Sequence, residues 1–239
     1  YALLGPDGQL LEHPYHYRDI RNAAAMADAL RRVSKDEIYA KTGVQFITIN
    51  TLYQVVAAKR HNAGLLDAAH RVVMMPDLFN YWLTGEMVCE YTDASTTQLI
   101  NPKTRTWALD LMERLELPAR LAAPIVEPGS LLGAIRPAAT PRGTLAGTPV
   151  IATASHDTAS AVAAVTARDG TAFISSGTWS LVGMEVDEPV LTPRAMQLNF
   201  SNEGGVEGTT RLLKNVMGLW LLQGCRKSWA RQGRHFTYD

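Results

Sequence analysis

Apolar positions recur at helical spacing through the first half of the chain and at strand spacing only later. Residues 22–32 (NAAAMADALRR) are alanine-rich, with Met26, Leu30 and Val33 spaced for one helical face. Ser34 followed by Glu37 has the form of a capping box, which predicts a short helix stopping at Gly43. Asn50 stands at the N-cap position of TLYQVVAAKR, whose Leu52, Val55 and Val56 should face inward. Pro76 opens PDLFNYWLTG, with Leu78, Phe79, Trp82 and Leu83 as its apolar face and Gly85 as its stop. MVCEYTD then reads as extended.

Residues 118–148 alternate proline with glycine and predict loops and short strands. TPVIATA follows as a buried-strand signal, then Ser155-His156-Asp157-Thr158 and a helix of small residues, ASAVAAVTA. TAFI and WSLVGMEV flank the turn Ser175-Ser176-Gly177-Thr178 and predict a hairpin. From about Thr209, the spacing of Leu212, Val216, Leu219 and Trp220 predicts a long final helix. The domain boundary should fall in the 159–171 helix and its exit, dividing 1–165 from 166–239. Beginning at Tyr1 rather than Met, the chain reads as a piece of a longer protein.

Composition narrows the function classes. Of 239 residues, 46% are hydrophobic, enough for a sizeable core. The 23 basic residues balance 23 acidic ones, which removes the electrostatic case for a nucleic-acid or membrane-surface partner. Cys89 and Cys225 supply neither a disulfide framework nor a four-cysteine zinc site. No apolar run approaches the roughly 18 residues of a membrane span, and no signal-peptide pattern is visible. A soluble, cytoplasmic protein is expected, of undetermined oligomeric state.

Three groups could carry chemistry. Asp157 should lie just past the end of a strand, at the head of a helix, where α/β sheets bind ligands. The helix dipole and free amides favour its ionised form there, suiting it to accept a proton; the same position suits an ordinary cap. Ser175–Ser180 could form a concavity of amides and hydroxyls for phosphate oxygens, or a plain Ser/Gly turn. Asn202-Glu203-Gly204-Gly205 forms the third group with Asn215 and Gln223. The last two, eight residues apart on the predicted helix, would share a quadrant and could hydrogen-bond a polar planar or ribose group, or be surface amides.

Other features carry less. Ser155 beside His156 lacks the GxSxG elbow of a hydrolase, and His13 and His16 read as surface histidines. Arg226, Lys227, Arg231 and Arg234 read as a solvated helix end. Trp82, Trp220 and Trp229 read as core, and Phe46 and Asn50 as either pocket residues or core and cap.

These motifs, taken together, resemble the FGGY carbohydrate kinases. The resemblance runs in order through HYRDIRN, YAKTGVQFITINTLYQ, MPDLFNYWLTGEMVCEYTDASTTQL, ASHDTASAV, ISSGTWSLVG, NFSNEGG and RLLKNVMGLWLLQ. The last two stretches resemble the branch acting on L-rhamnulose. The resemblance implies an α/β, actin-like and ribonuclease-H-like two-domain sugar kinase fold, present here in part. Residues 1–165 would close the sugar-binding domain and 166–239 would begin the ATP-binding domain. It further implies ATP-dependent phosphorylation of the 1-hydroxyl of L-rhamnulose, with Mg2+. Asp157 matches the family's proton acceptor, and His156, Asp157 and Thr158 its sugar-contacting tripeptide. Thr178, Asn215 and Gln223 match ATP contacts. The family's N-terminal phosphate-binding hairpin has no counterpart here, which implies little or no activity for this stretch alone.

Overall fold

The computed structural model describes residues 1–165 and 170–237. The expected boundary at 165/166 borders residues 166–169, which lie outside the described residues. In chain order the first elements are β1 (Ala2–Leu4), α1 (Arg21–Arg32), α2 (Lys35–Thr42), α3 (Thr51–His61), α4 (Ala63–Ala68), β2 (Arg71–Val73) and α5 (Met75–Thr84). Next come β3 (Cys89–Glu90), α6 (Tyr91–Ala94), β4 (Ile100–Asn101), β5 (Thr106–Trp107), α7 (Leu109–Arg114), β6 (Ile125–Val126), β7 (Leu131–Ala134) and β8 (Pro149–Ile151). The last are α8 (Asp157–Ala163), β9 (Ala172–Ser176), β10 (Trp179–Val186), α9 (Pro193–Gln197), β11 (Ser201–Gly204), β12 (Thr210–Met217) and α10 (Trp220–Arg231).

The local signals act where they were expected in the first helices. Ser34 Oγ accepts the Glu37 amide while the Glu37 carboxylate accepts the Ser34 amide, so α2 starts on a complete capping box. Gly43 ends it in the left-handed region, at φ 63°. Asn50 precedes α3 without capping it: its Nδ2 donates to Gln45 O at 2.8 Å and Gln98 Oε1 at 3.0 Å instead. Residues 51–58 of α3 are buried all round, which makes it the central helix. Ala25 and Ala29 of α1 let the two helices approach closely, and Leu52, Val55, Leu66, Leu111 and Met112 complete this core. A second cluster of Ala2, Leu4, Val73, Leu78, Cys89, Tyr91 and Ile100 lies along the β1–β2 pair.

Beyond residue 170 the fold is an antiparallel sheet in the order β11-β12-β10-β9. The predicted β9–β10 hairpin is present. The predicted final helix from Thr209 is not: residues 210–217 are strand β12, paired with β10 and β11, and the helix begins only at Trp220. Arg211 and Leu213 are fully buried on one face of β12, so period two overrides the chance helical spacing of Leu212, Val216 and Leu219.

Three further expectations are corrected. The extended MVCEYTD run is reduced to Cys89–Glu90, because the Glu90 side chain caps α6 immediately after it. β8 is not buried. It pairs only with β7, leaving Ile151 about half exposed. Trp82, Trp220 and Trp229 are surface residues, with Trp220 at 50% exposure. On α5, Leu78 is buried while Phe79 and Trp82 stand exposed and stack edge to face on each other. No helix among the described residues is long and apolar enough to cross a membrane.

Candidate active site

A cleft of about 950 Å³ lies where the helical part meets the sheet. The helical side contributes the Tyr15–Tyr17 segment, the Ile47–Thr51 loop, the head of α5, Asp93 and His156–Thr158. The sheet contributes the Ser175–Trp179 hairpin and Asn215.

Asp157 is the first residue of α8, and its side chain is 99% exposed into this space. His156, not Asp157, occupies the N-cap position, and no side chain caps the helix, so the capping alternative fails. The Asp157 carboxylate has only light local contacts: Thr158 Oγ1 donates to Oδ1 at 3.3 Å, and His156 Nδ1 lies 3.9 Å away. The backbone beneath it is held far more firmly. Ser155 donates through both N and Oγ to the buried Glu90 carboxylate, and His156 N donates to Thr92 Oγ1. Thr158 is buried, and His156 Nδ1 is buried with no hydrogen-bond partner among the described residues.

Across the cleft, Ser175, Ser176, Gly177 and Thr178 line the wall. Gly177 N donates to Trp179 O, so this amide is engaged within the turn, while Thr178 is exposed. Gly218, just after β12, packs on the turn so closely that a Cβ there would sit 2.6 Å from Gly177 O. Replacing it would displace the hairpin.

Asn215 and Gln223 do not share a helix, and the structure separates them. Asn215 is on β12 in the cleft wall, whereas Gln223 is on α10 and lines a separate hollow of about 410 Å³ with Arg226 and Phe236. Asn215 instead meets Gln45. Its N and Nδ2 donate to Gln45 Oε1, and Gln45 Nε2 donates to Asn215 O. Asn202 and Glu203 are buried in β11, and Glu203 lines a smaller chamber of about 160 Å³ shared with Gln45, Asn50 and His156.

Asp93 was not singled out individually, although its YTDAS stretch was. It lines the cleft, and burial pushes its carboxyl above the usual carboxylate range, opposed chiefly by the neighbouring His156. His16, read as a surface residue, also lines the cleft, because the 14–18 segment folds over it. The place of both in the cleft depends on long-range packing, which local sequence does not carry.

The model of the FGGY family of carbohydrate kinases, N-terminal domain, matches residues 2–164, and that of the C-terminal domain matches 172–237. The rhamnulokinase of Bacteroides thetaiotaomicron is 47% identical over 230 residues, covering 96% of this chain and 47% of that protein. The rhamnulokinase of Pectobacterium carotovorum is 47% identical over 93% of this chain and 44% of its own length. The chain thus spans somewhat less than half the length of these curated relatives. Among solved structures, a ligand-bound xylulose kinase from Lactobacillus acidophilus superposes with a TM-score of 0.81 at 23% identity. It covers 97% of this chain and 46% of that one. Plasmodium falciparum glycerol kinase with ADP superposes at 0.79 and 14% identity, over 94% of this chain and 47% of that one.

Proposed function

The chain belongs to the FGGY family of carbohydrate kinases, with their actin-like, ribonuclease-H-like fold, and from that membership we propose that the full-length protein phosphorylates L-rhamnulose at its 1-hydroxyl with ATP. The observation that carries this reading is Asp157, exposed at the head of α8 in a cleft faced by the Ser175–Thr178 hairpin. The identity to two rhamnulokinases supports the choice of sugar.

In this reading Asp157 accepts the proton of the attacking hydroxyl, and His156 and Thr158 shape the sugar pocket beside it. Thr178 contacts the nucleotide phosphates. Asn215, held by Gln45, faces the same cleft and is the more central of the two amides; Gln223 would reach the nucleotide only at its far end. Hard oxygen donors suit Mg2+, which is commonly held by nucleotide phosphates plus one or two carboxylates. Among the described residues Asp93, in the cleft lining, would be the carboxylate available to it, leaving Asp157 free for the proton. When bound, the ion would offset phosphate charge. Closure of the cleft would keep water from the transferred group.

The test is sugar-dependent ADP formation by the full-length protein, with L-rhamnulose compared against L-fuculose, D-xylulose and glycerol. L-rhamnulose should be strongly preferred. Asp157→Asn should lower turnover about 10²–10⁴-fold, the range for loss of a general base, with little change in sugar binding. Preference for another sugar would overturn the substrate assignment, and near-parent turnover of Asp157→Asn would remove that residue from the role.

A further inference from the structure

Glu90 is fully buried, yet its carboxylate is surrounded by hydrogen-bond donors. Oε1 accepts from Thr92 N at 2.8 Å. Oε2 accepts from Thr92 Oγ1 at 2.6 Å, Asp93 N at 3.3 Å, Ser155 N at 3.0 Å and Ser155 Oγ at 2.7 Å. Its own amide donates to Asp77 Oδ1. The contacts come from two segments 65 residues apart in sequence: the head of α6, and the loop that leads into α8. A second tie runs parallel, from His156 N to Thr92 Oγ1.

We propose that Glu90 is the positioning residue of the phosphoryl transfer, fixing the 155–157 backbone so that Asp157 meets the sugar hydroxyl. This rests on the assignment of Asp157 as the proton acceptor. The exposed Asp157 side chain has little to orient it but its own backbone, and two residues earlier that backbone is bonded to Glu90. Removing such a support would let the base shift, and a misplacement of about 1 Å can cost about 10²-fold in turnover. A carboxylate suits this role where a carboxamide does not. All five contacts offered to the side chain are donors, and glutamine would turn an NH2 against one of them. The two hydroxyl contacts, from Thr92 Oγ1 at 2.6 Å and Ser155 Oγ at 2.7 Å, are at the short end for O–H···O bonds.

The experiment uses the full-length protein with Glu90→Gln, Ser155→Ala and Asp157→Asn, singly and in pairs. Glu90→Gln should lower kcat for sugar phosphorylation about 10–100-fold, while the sugar Kd from tryptophan fluorescence and the binding stoichiometry stay at parent values. Ser155→Ala should lower kcat by a few fold. Either change, added to Asp157→Asn, should cost nothing further, because residues acting through one group are non-additive. Parent-like turnover of Glu90→Gln beside a slow Asp157→Asn overturns the positioning role alone. So do losses that multiply in the double variant, as a general loss of folded protein would give. If Glu90→Gln does not fold, Ser155→Ala decides by the same comparison: a kcat loss that vanishes in the Asp157→Asn background supports the role, and unchanged turnover overturns it. Full activity of Asp157→Asn would instead overturn the base assignment.

Discussion

Gln45 should be the largest single side-chain tie between the helical part and the sheet, and replacing it tests the way the cleft walls are joined. Its carboxamide stands beside β12 as a strand would. Oε1 accepts Asn215 N at 2.9 Å and Nε2 donates to Asn215 O at 3.2 Å, beyond the last β11–β12 pair at Ser201 and Leu213. Oε1 also takes Asn215 Nδ2 at 3.1 Å. Each neutral hydrogen bond has a net worth of about 1 kcal/mol, so Gln45→Ala should cost about 3 kcal/mol, rising slightly where Asn215 is left dry. Asn215→Ala removes only the side-chain bond and should cost about 1 kcal/mol. The double variant should then show a coupling of about 1 kcal/mol, not three. Urea unfolding gives the three free energies. Amide hydrogen exchange gives an independent reading, since the Asn215 N–H loses its acceptor only when Gln45 is changed. Equal costs for the two single variants, or an Asn215 amide that stays protected in Gln45→Ala, would refute the reasoning.

Two further outcomes follow from buried groups elsewhere. Burial pushes the Asp77 carboxyl up to about 8, with the Glu90 amide bond opposing the shift and Asp93 and Glu90 adding to it. The folded state therefore holds a proton that the unfolded state releases near 3.8, so Asp77 makes stability fall as pH rises from about 4 to about 8. Asp77→Asn should lose less Tm than the parent across that window in a thermal melt, and parallel pH profiles would refute the assignment. Gly183 on β10 has no room for a methyl group, whose carbon would lie 2.5 Å from Leu212 O and Leu213 Cβ. Gly183→Ala should cost about 1–3 kcal/mol, the usual range for overpacking, and a chemical denaturation midpoint at the parent value would refute the close approach.

What the sequence made legible was mostly local. The Ser34–Glu37 box, the left-handed stops at Gly43 and Gly85 and the Ser175–Thr178 hairpin all depend on residues within a few positions of one another. The helix head at Asp157 was legible for the same reason, since the small residues of α8 follow it directly in the chain, although the buried strand expected before it is an exposed one. Long-range pairing was not. β12 differs from the helix expected there because Leu212, Val216 and Leu219 fit helical spacing by coincidence, while its pairing with β10 joins residues from Val186 and Thr210 to Trp179 and Met217 that local spacing does not relate. That expectation placed Asn215 and Gln223 on one surface, when a strand and a helix hold them apart. The tryptophans were misjudged because large apolar side chains usually signal a core, and here three of them do not reach one.

Glu90 and Asp157 illustrate a division of labour that no single stretch of sequence carries. Glu90 is wholly buried and saturated with donors, so it can stiffen backbone but cannot exchange protons with a substrate. Asp157 is wholly exposed and nearly free of partners, so it can take a proton but has little to hold it in place. Ser155 connects the two, giving both its amide and its hydroxyl to Glu90 two residues before Asp157. On the far wall, Gln45 ties Asn215 to the same helical part, so the proposed base and the sheet are referenced to one scaffold. A carboxylate kept accessible and kept still by its backbone is the arrangement the proposed transfer would use, because the catalytic gain comes from position as much as from basicity.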